Sequence, residues 1–232
     1  MEDPRVKPTE RIVVFIPPFP SIAADPKRGL LYATFQDGRL GDPDVLLGTS
    51  SDGGRSWSER KRVNDTQRRD GRAQYLPKLA VAPNGRLDIL YYDRRHDPRN
   101  VLNEVSMQSS FDRGETFSKH RRVSERRFDS RIGFGAERKL PDLGSRLGLV
   151  SADTAALAVW TDTRAGTEAS RKQDLAEGLV RFSPSARLSG SLESALRYGG
   201  SSLALLGLGV LAWLAVGRRE TALPTTSTPE AS

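Results

Sequence analysis

Three times this chain places an aspartate two residues ahead of an arginine at the end of an apolar run: Asp37-Gly38-Arg39, Asp93-Arg94-Arg95 and Asp162-Thr163-Arg164. A guanidinium is a planar fork of donors matched to carboxylates and other oxyanions, which makes each arginine a candidate anion contact. The same spacing has a second reading. Residues two apart on a strand project to one side, so each aspartate can instead hold its own arginine and brace a loop or a neighbouring sheet. Ligand contact and brace both stay open on the sequence alone.

Other chemistries find little support. His96 and His120 are the only histidines, and neither has a partner at metal-ligand spacing, so no metal site is expected. Asp42 and Asp44 read as a charged turn before they read as a calcium site. The glycine-rich pieces lack the Lys-Ser/Thr ending of a phosphate loop, and no cofactor is expected. The chain has no cysteine, which excludes disulfides and thiolate chemistry. Its net charge of +7 raises the question of nucleic acid, but the basic residues are interleaved with acids and form no stripe. The densest cluster, Lys119-His120-Arg121-Arg122 with Arg126-Arg127, reads as a solvated strand and loop before it reads as a polyanion site, and no nucleic-acid partner is expected.

A repeat defines the elements that position these residues. Ser50-Ser51-Asp52-Gly53-Gly54-Arg55-Ser56-Trp57 and Ser110-Phe111-Asp112-Arg113-Gly114-Glu115-Thr116-Phe117 share the pattern Ser-x-Asp-x-Gly-x-Ser/Thr-aromatic and lie 60 residues apart. Ser50, Asp52, Ser110 and Asp112 can hydrogen-bond the turn's own backbone, and Gly54 and Gly114 can take the positive φ a tight turn requires. Trp57 and Phe117 then fold back to fill the space between layers. Around each turn the pattern gives four short strands: 20–24, 29–35, 45–49 and 56–63 in the first unit, then 77–82, 86–92, 101–109 and 116–123 in the second. Pro20, Pro77 and Pro141 suit strand entrances. A third unit shows strands at 146–150 and 155–161 with another at 175–182.

A period of four short strands is the signature of a propeller blade. The expected fold is therefore all-β: a partial β-propeller of about three four-stranded blades, near 12–66, 67–127 and 128–183, preceded by a flexible start at 1–11. Closed propellers use about four to eight blades, so the arc is expected to be completed by N-terminal blades missing from this sequence, by a partner, or by self-association. Residues 1–11 are charged, lack a signal-peptide pattern and read as an internal start. After a linker at 184–197, residues 198–217 contain no charged side chain and at about 1.5 Å per residue span roughly 30 Å, the length of a transmembrane helix. A lipid bilayer is thus an expected partner, and the Thr/Ser/Pro-rich tail at 218–232 is expected to be disordered. Arg218 and Arg219 favour a cytoplasmic tail, but Arg181, Arg187 and Arg197 lie on the other side, so basic residues alone do not set the orientation.

The two turns resemble the Asp boxes of the bacterial neuraminidase repeat, found in sialidases and related propellers. Tyr91-Tyr92-Asp93-Arg94-Arg95-His96-Asp97-Pro98 and Val159-Trp160-Thr161-Asp162-Thr163-Arg164 are similar to segments of bacterial sialidase-like proteins, and the likeness runs over about residues 12–183. The resemblance implies that the Asp-box residues are structural and lie on the face away from the active site. The connections after the second strand of each blade then carry the site, which holds Asp37/Arg39, Asp93/Arg95 and Asp162/Arg164 beside the entrances to the inner strands near Phe19, Tyr75 and Asp142. By the same likeness Arg39, Arg95 and Arg164, with Asp162, bind the substrate; Asp37 or Asp93 is the acid and Tyr75 the nucleophile. Phe15-Ile16-Pro17 departs from the family's Arg-Ile-Pro signature, which leaves one arginine of the expected triad unaccounted for. The implied function is a membrane-anchored, extracytoplasmic propeller that hydrolyses terminal sialic acid or a related acidic sugar. The alternative is a noncatalytic propeller that binds glycan or protein at the cell envelope.

Overall fold

The computed structural model describes residues 19–135, 142–143 and 147–183, and every regular element among them is a β-strand. The first sheet runs β1 (Ser21–Asp25), β2 (Leu30–Asp37), β3 (Asp44–Ser50) and β4 (Lys61–Arg62). The second runs β5 (Gln74–Val81), β6 (Leu87–Asp93), β7 (Leu102–Ser110) and β8 (Arg121–Arg122), with β9 (Phe128–Asp129) also paired to β7. The third contains β10 (Gly148–Ser151), β11 (Ala155–Asp162) and β12 (Asp174–Arg181). All neighbours are antiparallel, as short hairpin connections demand. The result is a partial propeller.

Several boundaries differ from those expected. The outermost strands β4 and β8 pair over two residues each, and ahead of them Ser58 and Ser118 each give one N–H to the neighbouring strand, at the carbonyls of Thr49 and Ser109. The third sheet has three strands among the described residues instead of four, and β9 was not foreseen. β5 begins at Gln74, three residues before Pro77. The proline is accommodated inside the strand by a bulge between Tyr75 and Lys78, where Leu76 takes φ 50° and no ladder N–H is needed from Pro77. The expected membrane segment at 198–217, its linker and tail, and the Phe15-Ile16-Pro17 departure lie outside the described residues. Among the described residues no helix is long and apolar enough to cross a membrane.

The sheets stack front to back. We call front the face of β6 that carries Leu87, Ile89 and Tyr91, and back the face that carries Asp88, Leu90 and Tyr92. The front meets the back of the first blade, where Tyr32, Val45, Leu47 and Val63 join it in one buried cluster with Phe117 at the edge. The back meets the front of the third blade, where Leu90, Tyr92, Val105 and Met107 join Leu149, Ala156, Ala158 and Trp160. Every residue of β6 is buried and its apolar side chains project to both faces, with Asp88 and Asp93 held by ion pairs, whereas β11 alternates because only one of its faces is covered.

A buried ion pair fastens the second blade to the third. Arg86 donates from Nε and Nη2 to Asp88 at 2.9–3.1 Å, and from Nη1 and Nη2 to the carbonyls of Asp153 and Ala152 at 2.7 and 2.8 Å. Asp88 also accepts from Ser109 Oγ at 2.6 Å and Ser151 Oγ at 2.7 Å, and the guanidinium lies 3.5 Å above the Phe182 ring. With hydrogen bonds to both Asp88 oxygens and to all three guanidinium nitrogens, the pair tolerates full burial; removal of one member of such a pair typically costs about 3–5 kcal/mol.

The Asp-box glycines differ in one respect. Gly54 and Gly114 both have positive φ, 90° and 85°, but a Cβ on Gly114 would sit 2.6 Å from Leu47 of the first blade, while one on Gly54 would meet its nearest neighbour at an ordinary 3.6 Å. Gly54→Ala should therefore cost about 1–2 kcal/mol for the backbone alone, and Gly114→Ala clearly more, because the blade contact must open. Denaturant titration of the two variants tests this; equal losses would contradict the close approach of the blades.

Candidate functional site

Each Asp-x-Arg triplet closes on itself. Oδ1 of Asp37, Asp93 and Asp162 accepts the backbone N–H of the arginine two residues on at 2.9, 2.9 and 2.7 Å. Oδ2 takes the same arginine's Nε at 2.7, 2.5 and 2.7 Å. Asp129-Ser130-Arg131 repeats the arrangement at 2.8 and 3.0 Å. The strand ends at the aspartate, its side chain turns the chain, and the guanidinium is drawn back over the turn.

The three arginines are left in different states. Arg95 is 9% exposed and also donates to Asp65 at 2.7 Å and to the Tyr91 hydroxyl at 3.2 Å, which makes it a strut between blades. Burial works to lower its pKa, and Asp93 with its other partners outweighs that, so it stays protonated. Arg39 is 67% exposed and lies in an open groove of about 750 Å³ with Phe35, Leu46 and Trp57. Arg164 is 31% exposed, and its Nη1 also reaches Glu125 at 3.3 Å. Neither groove described here contains more than one of the three, and no contact among the described residues brings two together.

Tyr75 is fully buried in β5, away from any surface. Its hydroxyl donates to Asn103 Oδ1 at 2.8 Å and accepts from Arg94 Nη2 at 3.2 Å; Arg94 in turn holds Ser130 and the Asn100 carbonyl. Burial raises the phenol's pKa against the pull of Arg94. The chain thus uses Tyr75 to anchor the β6–β7 connection.

One feature of the site went unread in the sequence. The acid that ends the second strand of each blade lies directly opposite an acid at or near the start of the third: Asp37 opposite Asp44, Asp93 opposite Glu104, and Asp162 opposite Asp174. Directly opposed side chains have Cβ atoms about 4.5–5.5 Å apart, so each pair must be held by cations or donors. Asp44 is buried and takes Arg62 Nη2 and Asn64 Nδ2, both at 2.8 Å, while its Oδ2 has no partner. Glu104 is buried and meets His96 Nδ1 at 2.9 Å. Asp174 alone is open, 43% exposed, with Lys172 at 3.1 Å. The signal was available: each second acid precedes an apolar residue in the first part of a strand, in Asp44-Val45, Glu104-Val105 and Asp174-Leu175.

The Asp162/Asp174 pair lines an open groove of about 610 Å³ together with Arg126, Arg127, Asp129 and Arg164. Each of its aspartates already has a cation: Asp129 has Arg131, Asp162 has Arg164 and Asp174 has Lys172. Arg126 and Arg127 are exposed and make no ion pair among the described residues, and Arg127 spends one N–H on the His96 carbonyl at 2.6 Å. The lining itself is balanced, three arginines against three aspartates, and within it Arg126 and Arg127 are the cations with no ion pair among the described residues. Among the described residues no group of three or more His, Asp or Glu is arranged to hold a metal ion.

The Asp boxes are self-contained. Ser50 Oγ donates to Asp52 Oδ1 at 2.8 Å and accepts Gly54 N–H at 2.9 Å, and Ser56 gives Asp52 both its N–H, at 2.9 Å, and its hydroxyl, at 2.6 Å. Ser110, Asp112, Gly114 and Thr116 reproduce every bond. Phe117 reaches the interblade cluster, whereas Trp57 remains 44% exposed. The hydroxyls of Ser56 and Thr116 foremost hold Asp52 and Asp112 down at about 2. At Asp65, Asp97 and Asp129 burial pushes upward, but hydrogen bonds from Arg95, the Leu102 N–H and Arg131 prevail and lower all three. A general acid requires the opposite shift.

No protein-family model matches the sequence, and no curated protein matches it. Solved structures match the fold. An α-L-arabinanase of Penicillium chrysogenum complexed with arabinobiose superposes with a TM-score of 0.51 at 16% identity, over 71% of this chain and 46% of that one. The GH93 α-L-arabinofuranosidase of Fusarium graminearum, also with arabinobiose, gives 0.51 at 16% identity over 74% and 49%. A Hadza microbial sialidase aligns with a TM-score of 0.42, a looser match that adds nothing to the assignment. The fold resembles that of propeller glycoside hydrolases, and the chain spans about half the length of the structures it matches.

The Asp-box carboxylates fix a pH response. Because their folded values of about 2 lie below the ordinary 3.8, their stabilisation is complete above pH 4 and is lost as pH falls towards 2. Denaturant midpoints should decline across that window, and Asp52→Asn with Asp112→Asn should flatten the decline. An unchanged slope in the double variant would place the acid response elsewhere.

Proposed function

We propose that this chain is a glycan-binding propeller segment whose groove beside β11 and β12 holds an acidic saccharide. The supporting observation is the pairing in that groove: its three aspartates hold Arg131, Arg164 and Lys172, which leaves Arg126 and Arg127 to meet an incoming carboxylate. Two guanidiniums on one wall suit a planar carboxylate better than a neutral sugar. Terminal sialic acid is the ligand that fits both this charge and the Asp-box resemblance. The uncharged run at 198–217 would carry the segment on a membrane with the propeller outside, an arrangement supported by the length and composition of that run.

A second reading, exo-glycoside hydrolysis, is favoured by one observation. Asp162 and Asp174 are direct cross-strand partners on β11 and β12, which brings two carboxylates to one groove, the pair of groups that glycoside hydrolysis uses. Both line the groove, and Asp174 is open to it.

Titration with sialyllactose and with neutral lactose and arabinobiose separates these readings. Binding of the acidic trisaccharide alone is expected, weakened by added salt and reduced about tenfold or more by Arg126→Ala/Arg127→Ala, since a charge-assisted hydrogen bond contributes about 1.5–3 kcal/mol. Equal affinity for all three sugars would defeat the proposal. Release of fluorophore from a sialoside or an arabinofuranoside, abolished by Asp174→Asn, would establish hydrolysis; intact binding without release would leave binding as the function.

A further inference from the structure

The repeat makes the two open faces of the molecule counterparts of each other. In register with β6, the front of the first blade carries Leu31, Ala33 and Phe35, joined across the sheet by Ile22, Gly48 and Leu46. Trp57 folds over Gly48, the place a side chain would otherwise occupy. This is the face that in the second blade, with Phe117 in the position of Trp57, is covered by the back of its predecessor. In the first blade it is open, with Ile22 64% and Trp57 44% exposed.

The back of the third blade is open in the same way. Val150, Leu157 and Leu179 are direct cross-strand partners and form one apolar row across three strands, with Leu175 above it. They are 40–81% exposed, although the corresponding backs of the first and second blades are buried against the next front. An apolar sheet face of this kind marks an interaction surface. A back is what covers a front at both interfaces already formed in this chain.

We propose that the front of the first blade docks on the back of the third blade of a second copy, and that two copies close a single ring through two equivalent contacts. The contact is heterologous, so it ends in a closed assembly only if the rotation closes. Three sheets are present among the described residues of each copy, and the chain spans 46% and 49% of structures of similar fold, so two copies supply about the length of one ring. This inference is independent of what the groove binds.

The test is the mass of the full 232-residue chain in density-matched detergent, by sedimentation equilibrium. Wild type should have twice the 25.5 kDa chain mass over a wide concentration range. Trp57→Glu and Leu179→Glu, both at exposed positions that leave the interior untouched, should each be monomeric with unchanged circular dichroism. Mixed, they should recover a one-to-one pair, because each retains the face the other has lost. A monomeric wild type, a mass that grows without limit, a dimer unaffected by either variant, or a dimer broken by only one of them would each overturn the proposal; the last marks a contact between like faces, and the third an association through other parts of the chain.

Discussion

A four-stranded sheet with two apolar faces needs a neighbour on each side, and that constraint organises the molecule. β6 satisfies it completely, with Leu87, Ile89 and Tyr91 under one blade and Leu90 and Tyr92 under the other. The buried Arg86–Asp88 pair is possible only because the third blade supplies the Ala152 and Asp153 carbonyls and the Ser151 hydroxyl that complete its hydrogen bonds. Gly114 is fixed by the same stacking, since Leu47 of the first blade occupies the space beside it.

The loops at the other end inherit their chemistry from the repeat. A sheet that ends its second strand in Asp and carries Asp or Glu at or near the start of its third concentrates negative charge at every blade mouth, and the local arginines first offset that charge. Only what is left over after this neutralisation can meet a ligand. At the Asp93 turn Arg94 and Arg95 are both committed. In the connection between β8 and β9, Arg126 and Arg127 face the groove.

Much of the scaffold was legible because its signals are local. An Asp box encodes its own hydrogen bonds within eight residues, so the turns at Asp52 and Asp112 could be read residue by residue. The triplets were legible as pairs but not in their burial: Arg39 and Arg95 share a spacing, yet one is mostly exposed and the other enclosed, because the second is flanked by Tyr91 and by Asp65 from a distant connection. Tyr75 was misplaced at a surface for a related reason. Pro77 suggests a strand entrance, and the bulge at Leu76 that carries the strand past it leaves no mark in the sequence. Arg86 gave no hint that it joins two blades, since the Ala152 and Asp153 carbonyls it holds lie more than 60 residues away.

Hydrogen exchange measured strand by strand tests the stacking most directly. Amides of β6 should be the slowest in the chain and should exchange with the global unfolding transition, while those of β4 and β8 exchange through local opening. A β6 that exchanges as fast as these outer strands would contradict a middle sheet held on both faces.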